Sequence, residues 1–118
     1  MDDRIFRLCE QMSEDLAHNW TLEKMSEAVK ISKPYLQKLF KTETGIAPKI
    51  FLRDKRLEKA RELLEVEHEQ ISQIGRQVGM LHESHFTRDF KKKYGKTPTA
   101  YRRDYHDRKQ AEILFGQK

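Results

Sequence analysis

The sequence contains one helical pattern twice, about 50 residues apart, and this internal repeat limits the possible folds more than any other feature. With a shift of 50 residues, the identical pairs include Phe40 with Phe90, Gly45 with Gly95, and Pro48 with Pro98. Upstream the shift becomes 49, and the one-residue difference falls in a turn, where insertions are tolerated. Each copy is therefore a short helix, a tight turn, a longer helix, a glycine stop and a proline restart.

A short helix followed after a few residues by a second, crossing helix is the helix-turn-helix arrangement. In the first helix of each copy a small residue, Ser26 or Gly75, lets the second helix approach closely, and Val29 or Val78 fills the angle between them. The corner alone is a weak signal, because any three-helix bundle contains one. Its duplication at a fixed spacing predicts two helix-turn-helix subdomains.

The rest of the chain is also helical in pattern. Apolar residues recur every three or four positions, and only five Gly and three Pro occur in 118 residues, too few turns for an all-β fold. Seven helices are predicted, at about residues 3–18, 22–29, 32–45, 48–66 and 71–79, then a sixth ending at Gly95 and a seventh from Thr97. We expect an all-α fold with a first subdomain at 1–46, a linker helix at 47–66, a second subdomain at 67–108 and a frayed tail at 109–118.

Basic side chains are concentrated in two segments. Residues 1–29 contain three basic and seven acidic side chains, whereas residues 30–41 contain four lysines and no acid. Residues 88–103 contain seven basic side chains and one acid. A charge run is often just a solvated helix face. Both segments, however, begin on or beside the second helix of a copy, which indicates a surface for a polyanion.

Several functional classes find no support in the sequence. Cys9 is the only cysteine, so no internal disulfide or thiolate zinc site can form, and its expected role is a small buried apolar residue. His82 and His85 have a spacing found in metal sites, but no third ligand lies at a matching spacing. No catalytic triad order, glycine-rich phosphate loop or membrane-spanning apolar run occurs. We expect a cytoplasmic protein that is not an enzyme and uses no metal or other cofactor.

The sequence resembles the DNA-binding domain of the AraC/XylS family of bacterial transcription regulators, from about Leu22 to Arg102. The motifs are Leu22-x-x-Met-Ser-x-x-Val, Ser32-x-x-Tyr-Leu-Gln-Lys-Leu-Phe-Lys-x-x-x-Gly, Arg56-Leu-x-x-Ala-x-x-Leu-Leu, Ile71-x-x-Ile-Gly-x-x-Val-Gly, and His85-Phe-Thr-Arg-Asp-Phe-Lys-Lys-x-x-Gly-x-Thr-Pro-x-x-Tyr-Arg. The last motif is the most specific. The chain departs from the family pattern at Met80, where Phe is usual, and at Gly75, where Ala is usual.

The resemblance implies that the second helix of each copy, here called the reading helix, enters a major groove of double-stranded DNA. Major grooves on one face of B-DNA repeat every ~34 Å, close to the roughly 27 Å length of the predicted fourth helix. By the same resemblance, RNA polymerase is the expected protein partner and the isolated domain is expected to be monomeric. A sensor domain usually precedes this domain in the family, so the chain is expected to be part of a longer protein.

On the first reading helix, Leu36, Leu39 and Phe40 are expected in the core, which leaves the polar side chains outside. By resemblance, the base-contact positions are Pro34, Gln37 and Lys38. Gln37 can pair with adenine and Lys38 can donate to guanine or phosphate, whereas Pro34 offers only apolar contact to a thymine methyl.

On the second reading helix, Phe86 and Phe90 are expected in the core. Arg88 aligns with Lys38 in the repeat, and its planar donor fork makes it the best guanine reader in the chain. Glu83 can accept from cytosine or cap the helix. The other base-contact candidates on this helix are Ser84, His85 and Thr87.

A further set of side chains is expected to contact phosphates, which fixes the position of the protein without reading sequence. They are Lys33, Tyr35, Lys41, Lys91, Lys92 and Lys96. Arg102 and Arg103 can join them, although in the family the arginine after the aromatic residue is often a structural partner. Trp20, Tyr101 and Tyr105 are expected to pack rather than to stack on bases.

Two other functions fit a basic helical chain. A helical protein-interaction or adaptor module should have a contiguous exposed apolar face, whereas the predicted exposed faces here are mostly charged. A non-specific nucleic-acid binder, such as an RNA binder, would share the basic segments. A large preference for one duplex over scrambled DNA at physiological salt would distinguish sequence-specific binding from that alternative.

Overall fold

The protein is all-α, as the sequence predicts. The computed structural model describes residues 1–116, and within them it has seven α-helices and no strand. The helices are α1 (Asp3–Glu14), α2 (Leu22–Val29), α3 (Lys33–Thr44), α4 (Pro48–Val66), α5 (Ile71–Gln77), α6 (Glu83–Tyr94) and α7 (Pro98–Leu114). The reading helices are therefore α3 and α6.

The chain folds into two compact units, Met1–Arg56 and Leu57–Lys118. The first part of α4 belongs to unit 1 and the rest belongs to unit 2. The sequence assigns this helix to a separate linker at 47–66, but its buried side chains are part of the two cores: Leu52 in unit 1, and Leu57 and Leu64 in unit 2.

The core of unit 1 is formed by α1, α2, α3 and the start of α4. Its buried side chains are Ile5, Leu8, Met12, Met25, Leu36, Phe40 and Leu52. The rings of Phe40 and Phe51 meet edge to face, with centroids 5.5 Å apart. Cys9 packs against this core and is only half-buried, and burial raises the pKa of its thiol.

The core of unit 2 repeats this arrangement, with Phe86 in the place of Leu36 on the reading helix. Its buried side chains are Leu57, Ala60, Leu64, Ile74, Val78, Phe86 and Phe90. The centroid of the Phe90 ring lies 4.8 Å from that of Tyr94 and 5.7 Å from that of Tyr101. Tyr101 thus packs against the core, as predicted.

The close approach of α5 and α6 depends on Gly75. A Cβ atom at this position would lie 2.8 Å from the carbonyl oxygen of Met80 and 3.1 Å from the ring of Phe86. The predicted need for a small residue here is confirmed. Ser26, its counterpart in unit 1, is buried, and its hydroxyl donates to the Glu23 carbonyl at 2.9 Å.

Both reading helices end in the same way. Gly45 and Gly95 adopt left-handed backbone conformations, with φ of 86° and 79°, at the C-terminal ends of α3 and α6. Glycine adopts this conformation without the steric cost that a Cβ atom would add. The helices that follow begin at buried Pro48 and Pro98, so the stop and restart in each copy are confirmed.

α1 ends four residues before its predicted end at His18. The indole nitrogen of Trp20 donates to the Asp15 carbonyl at 2.9 Å. The guanidinium of Arg56 donates to the carbonyls of Leu16 and His18, at 2.8 and 2.9 Å. These side chains use carbonyls that would accept intrahelical bonds in a longer helix, so the segment turns instead.

α7 is longer than predicted. It continues to Leu114, within the segment 109–118 that the sequence assigns to a frayed tail. No Gly or Pro interrupts this stretch, and Lys109 forms an ion pair with Glu112 at 3.7 Å, three residues on. Residues 117 and 118 of the predicted tail lie outside the described residues.

Among residues 1–116, no helix combines the length with the apolar character that a membrane span needs.

We expect Arg56→Ala to destabilise the protein by about 2 kcal/mol, because the carbonyls of Leu16 and His18 each lose a hydrogen bond from a charged group. Burial lowers the pKa of Arg56, which is consistent with a partly desolvated guanidinium. The matched control is Arg53→Ala, which removes an exposed arginine whose ion pair with Asp54 is 3.9 Å long. The control should change the free energy of unfolding by no more than about 0.5 kcal/mol. Equal losses in urea denaturation of the two variants would contradict the structural role of Arg56.

Candidate nucleic-acid interface

The first reading helix, α3, has one buried face and one polar face. The hydroxyl of Ser32 accepts from the backbone N–H of Tyr35 at 3.3 Å and caps the helix, while Leu36 and Phe40 anchor the opposite face with no exposed surface. All the predicted contact residues on this helix are exposed: Lys33, Pro34, Tyr35, Gln37, Lys38 and Lys41. Packing of two core residues one turn apart therefore leaves the polar face to solvent.

The second reading helix, α6, has the same arrangement. Phe86 and Phe90 are completely buried, and their rings meet edge to face with centroids 6.0 Å apart. The exposed candidates on this helix are Ser84, His85, Arg88, Lys91 and Lys92. Lys38 and Arg88, which the repeat aligns, thus lie on the exposed faces of their helices.

Thr87 is the predicted base-contact residue that the structure separates from the rest. It is half-buried, whereas Gln37, its counterpart on α3, is exposed. On a helix, consecutive residues are rotated by about 100° from each other, so Thr87 lies toward the core face while Arg88 points away from it.

Arg88 has one neighbouring carboxylate. Its Nε donates to Asp89 at 3.3 Å, and its side chain is 66% exposed. Within residues 1–116 the two terminal amino groups of this guanidinium form no hydrogen bond. The part of the fork that would face a guanine edge is therefore available.

Lys96, predicted to contact a phosphate, is held by a carboxylate instead of pointing freely to solvent. Its Nζ lies 2.9 Å from Asp104, which also pairs with Arg103 at 3.3 Å. The hydrogen bond from Lys96, followed by that from Arg103, keeps the pKa of the Asp104 carboxyl below its usual value. A DNA phosphate would have to compete with Asp104 for Lys96.

The aromatic residue of the last motif and the arginine after it have structural contacts. The Tyr101 hydroxyl donates to the Glu65 carboxylate at 2.5 Å, and Arg61 reaches the same oxygen at 3.0 Å. Burial, and then the hydrogen bond to Glu65, raise the pKa of Tyr101. Arg102 donates to the Glu69 carbonyl at 2.6 Å, so its side chain links α7 to the segment before α5.

Sequence reasoning missed the contact between Arg4 and the first reading helix. The Arg4 guanidinium lies 5.8 Å from the centre of the Tyr35 ring, and Asp2 holds it through bonds of 3.3 and 3.1 Å. Arg4 belongs to the acidic N-terminal segment and precedes every motif. No local pattern relates it to Tyr35, because the contact arises from the packing of α1 beside α3.

The two histidines at the start of α6 lie close to each other. The ring centroids of His82 and His85 are 5.3 Å apart. Within residues 1–116, no group of three or more His, Cys, Asp and Glu side chains is placed to hold a metal ion.

Comparison with known proteins identifies relatives of this fold and sequence. The helix-turn-helix domain family matches residues 25–104. The arabinose operon regulatory protein of Escherichia coli (strain K12) is 32% identical over 103 residues, which are 86% of this chain and 35% of that protein. The chain spans about a third of the length of the curated relatives it matches.

Solved structures share the architecture. The C-terminal domain of AraT, a response regulator from Geobacillus stearothermophilus, superposes with a TM-score of 0.83 at 32% identity, covering 87% of this chain and 86% of that one. The DNA-binding domain of AdpA, a global transcriptional factor solved with a target DNA, gives a TM-score of 0.87 at 23% identity, covering 91% and 96%. The second likeness concerns the fold alone.

We expect Asp104→Asn to strengthen binding to any DNA duplex at low salt, because it releases Lys96 for a phosphate. The matched control is Asp107→Asn, which removes the same charge from an exposed position one turn later on α7. Fluorescence anisotropy with labelled duplexes measures both variants. If the two substitutions raise affinity equally, general charge accounts for the effect and Lys96 is not a phosphate contact.

Proposed function

Because the chain belongs to the AraC/XylS-type helix-turn-helix family, we propose that it binds specific sequences of double-stranded DNA as a domain of a bacterial transcription regulator. The observation that carries the proposal is the matching pair of faces on α3 and α6. On each helix two core residues are buried, and side chains able to donate to bases and phosphates lie opposite them. A fold-level likeness alone would be a weaker argument, because one fold can serve many functions.

The two reading helices divide recognition between base edges and backbone. Gln37 and Lys38 on α3, and Arg88 on α6, have the donors that bind adenine and guanine edges in the major groove. The remaining base-contact candidates are Pro34, Ser84, His85 and Thr87. The phosphate contacts proposed are Lys33, Tyr35, Lys41, Lys91, Lys92 and Lys96.

The wider setting follows from the proposed role in transcription. One polypeptide supplies both reading helices, so a monomer suffices for one site, and each helix enters one of two adjacent major grooves. RNA polymerase is the proposed protein partner, and the cytoplasm is the proposed location. The domain itself is proposed to be neither an enzyme nor dependent on a cofactor.

In vitro selection from random duplexes tests the function directly. We expect the selected DNA to contain two conserved segments about 10 bp apart, bound by one copy of the protein. A single short conserved segment, or a requirement for two copies at each site, would contradict the two-helix mode. Equal binding to selected and scrambled duplexes at physiological salt would favour a non-specific nucleic-acid binder.

Arg88→Ala should weaken binding to the selected site by roughly 1–3 kcal/mol and binding to scrambled DNA by less, because a base contact is lost. The loss of preference should be confined to one of the two segments. Arg108→Ala, which removes an exposed arginine on α7, is the control and should leave preference unchanged. Arg88 would not be a base reader if the variant melted several degrees lower, or if both duplexes lost affinity by the same factor.

Lys91→Ala and Lys92→Ala should weaken binding to all duplexes by similar factors. Each should also reduce the slope of log K against log salt by about 0.9, because each variant loses one phosphate contact. The neighbouring Lys93 is a matched control, because its Nζ lies 5.5 Å from the centre of the Tyr94 ring and the rotation of about 100° per residue turns it away from Lys91 and Lys92. Lys93→Ala should change the slope less. Equal slopes for all three variants would remove the distinction between contact and non-contact lysines.

A further inference from the structure

Unit 1 has a hollow whose basic residues, Arg4, Arg7 and Lys30, lie outside the family's motifs. It lies between α1 and the C-terminal end of α2 and has a volume of about 280 Å³. Its lining residues are Arg4, Arg7, Gln11, Ala28, Val29 and Lys30. Three of the six carry a positive charge, although the surrounding segment is acidic in sequence.

The backbone of Lys30 adopts a left-handed conformation that favours glycine. Lys30 has φ of 60°, the only positive φ among the non-glycine residues at positions 1–116. It is the C-terminal cap of α2, a position where glycine is favoured because its left-handed conformation carries no Cβ penalty. Since the fold needs only the left-handed backbone there, a lysine points to a use for the ammonium group.

The second copy of the repeat has the favoured residue. The shift of 49 that aligns the first helices of the two copies places Lys30 on Gly79, whose φ is 89°. The same turn is therefore made by glycine in unit 2. The lysine is specific to the unit that also carries Arg4 and Arg7.

The hollow borders the N-terminal end of the first reading helix. Lys30 precedes the start of α3 by three residues, and Arg4 lies over the ring of Tyr35 in the first turn of that helix. A major groove is only about 12 Å wide, so groups flanking a helix inserted there come close to the phosphates at its edge.

We propose that Arg4, Arg7 and Lys30 bind a backbone phosphate beside the DNA segment read by α3, an inference that rests on the proposed function. A phosphodiester carries a single negative charge, and two guanidinium groups and one ammonium supply its donors. Asp2 orients Arg4, whereas Arg7 forms an exposed ion pair with Asp3, 3.6 Å long. A phosphate can replace that weak pair.

The decisive variant is Lys30→Gly, because stability and DNA affinity should respond differently to it. Glycine relieves the left-handed backbone, so the melting temperature should stay level or rise. Loss of the ammonium should weaken binding to selected and scrambled duplexes alike and reduce the slope of log K against log salt by about 0.9. Arg7→Ala should give the same loss of slope, while Lys109→Ala, a lysine paired with Glu112 on α7, removes one charge as a control.

A second measurement locates the phosphate. Single backbone phosphates flanking the α3 segment of the selected duplex are replaced, one at a time, by uncharged methylphosphonates. One replacement should weaken DNA binding by the wild-type protein several-fold and have little further effect on DNA binding by the Lys30→Gly variant.

The inference would be overturned if Lys30→Gly and Arg7→Ala retained the wild-type affinity and salt slope. It would also be overturned if no flanking methylphosphonate distinguished the wild type from Lys30→Gly. In either case the wild type would still prefer its selected site. Absence of that preference in the wild type would instead contradict the proposed function.

Discussion

The structure depends on burying two side chains, one turn apart, on the second helix of each unit. In unit 2 these are Phe86 and Phe90, which lose all contact with solvent and pack edge to face. A buried aromatic side chain contributes a large share of the free energy of a small core. The same burial fixes the rotation of α6 about its axis, so the residues opposite, such as Arg88, are held on the solvent side. The packing of the core therefore also sets the orientation of the proposed DNA-binding face.

Residues outside the apolar pattern position the helices around each reading helix. Arg56 joins α4 to the segment after α1 through two carbonyls, and Arg102 joins α7 to the segment before α5 through one. Gly75 removes the Cβ atom that would collide with the Met80 carbonyl. These residues are not proposed to contact DNA, but they hold in place the helices that surround each reading helix.

The two units have the same helical pattern but different residues at equivalent positions. At the turn before the reading helix one unit has Lys30 and the other has Gly79, both with positive φ. On the reading helices, half-buried Thr87 occupies the place of exposed Gln37. Because the backbone pattern is the same, these differences alter the charge and the hydrogen-bonding groups near the groove without altering the fold. Duplication therefore allows the two units to recognise different DNA segments.

The sequence alone determined the helical content and the two copies, and it predicted the exposed side chains of α3 and α6 apart from Thr87, which is half-buried. Helical spacing, a glycine stop and a proline restart are local signals, so the face opposite Leu36 and Phe40 could be predicted from the periodicity of α3. The tertiary structure decided the end of α1, the length of α7, the ion pair of Lys96 with Asp104 and the contact of Arg4 with Tyr35. Arg56 lies about 40 residues from the carbonyls it binds, and no local pattern in the sequence encodes that distance. Such contacts exist only once the helices have packed, because packing alone brings these groups within hydrogen-bonding range.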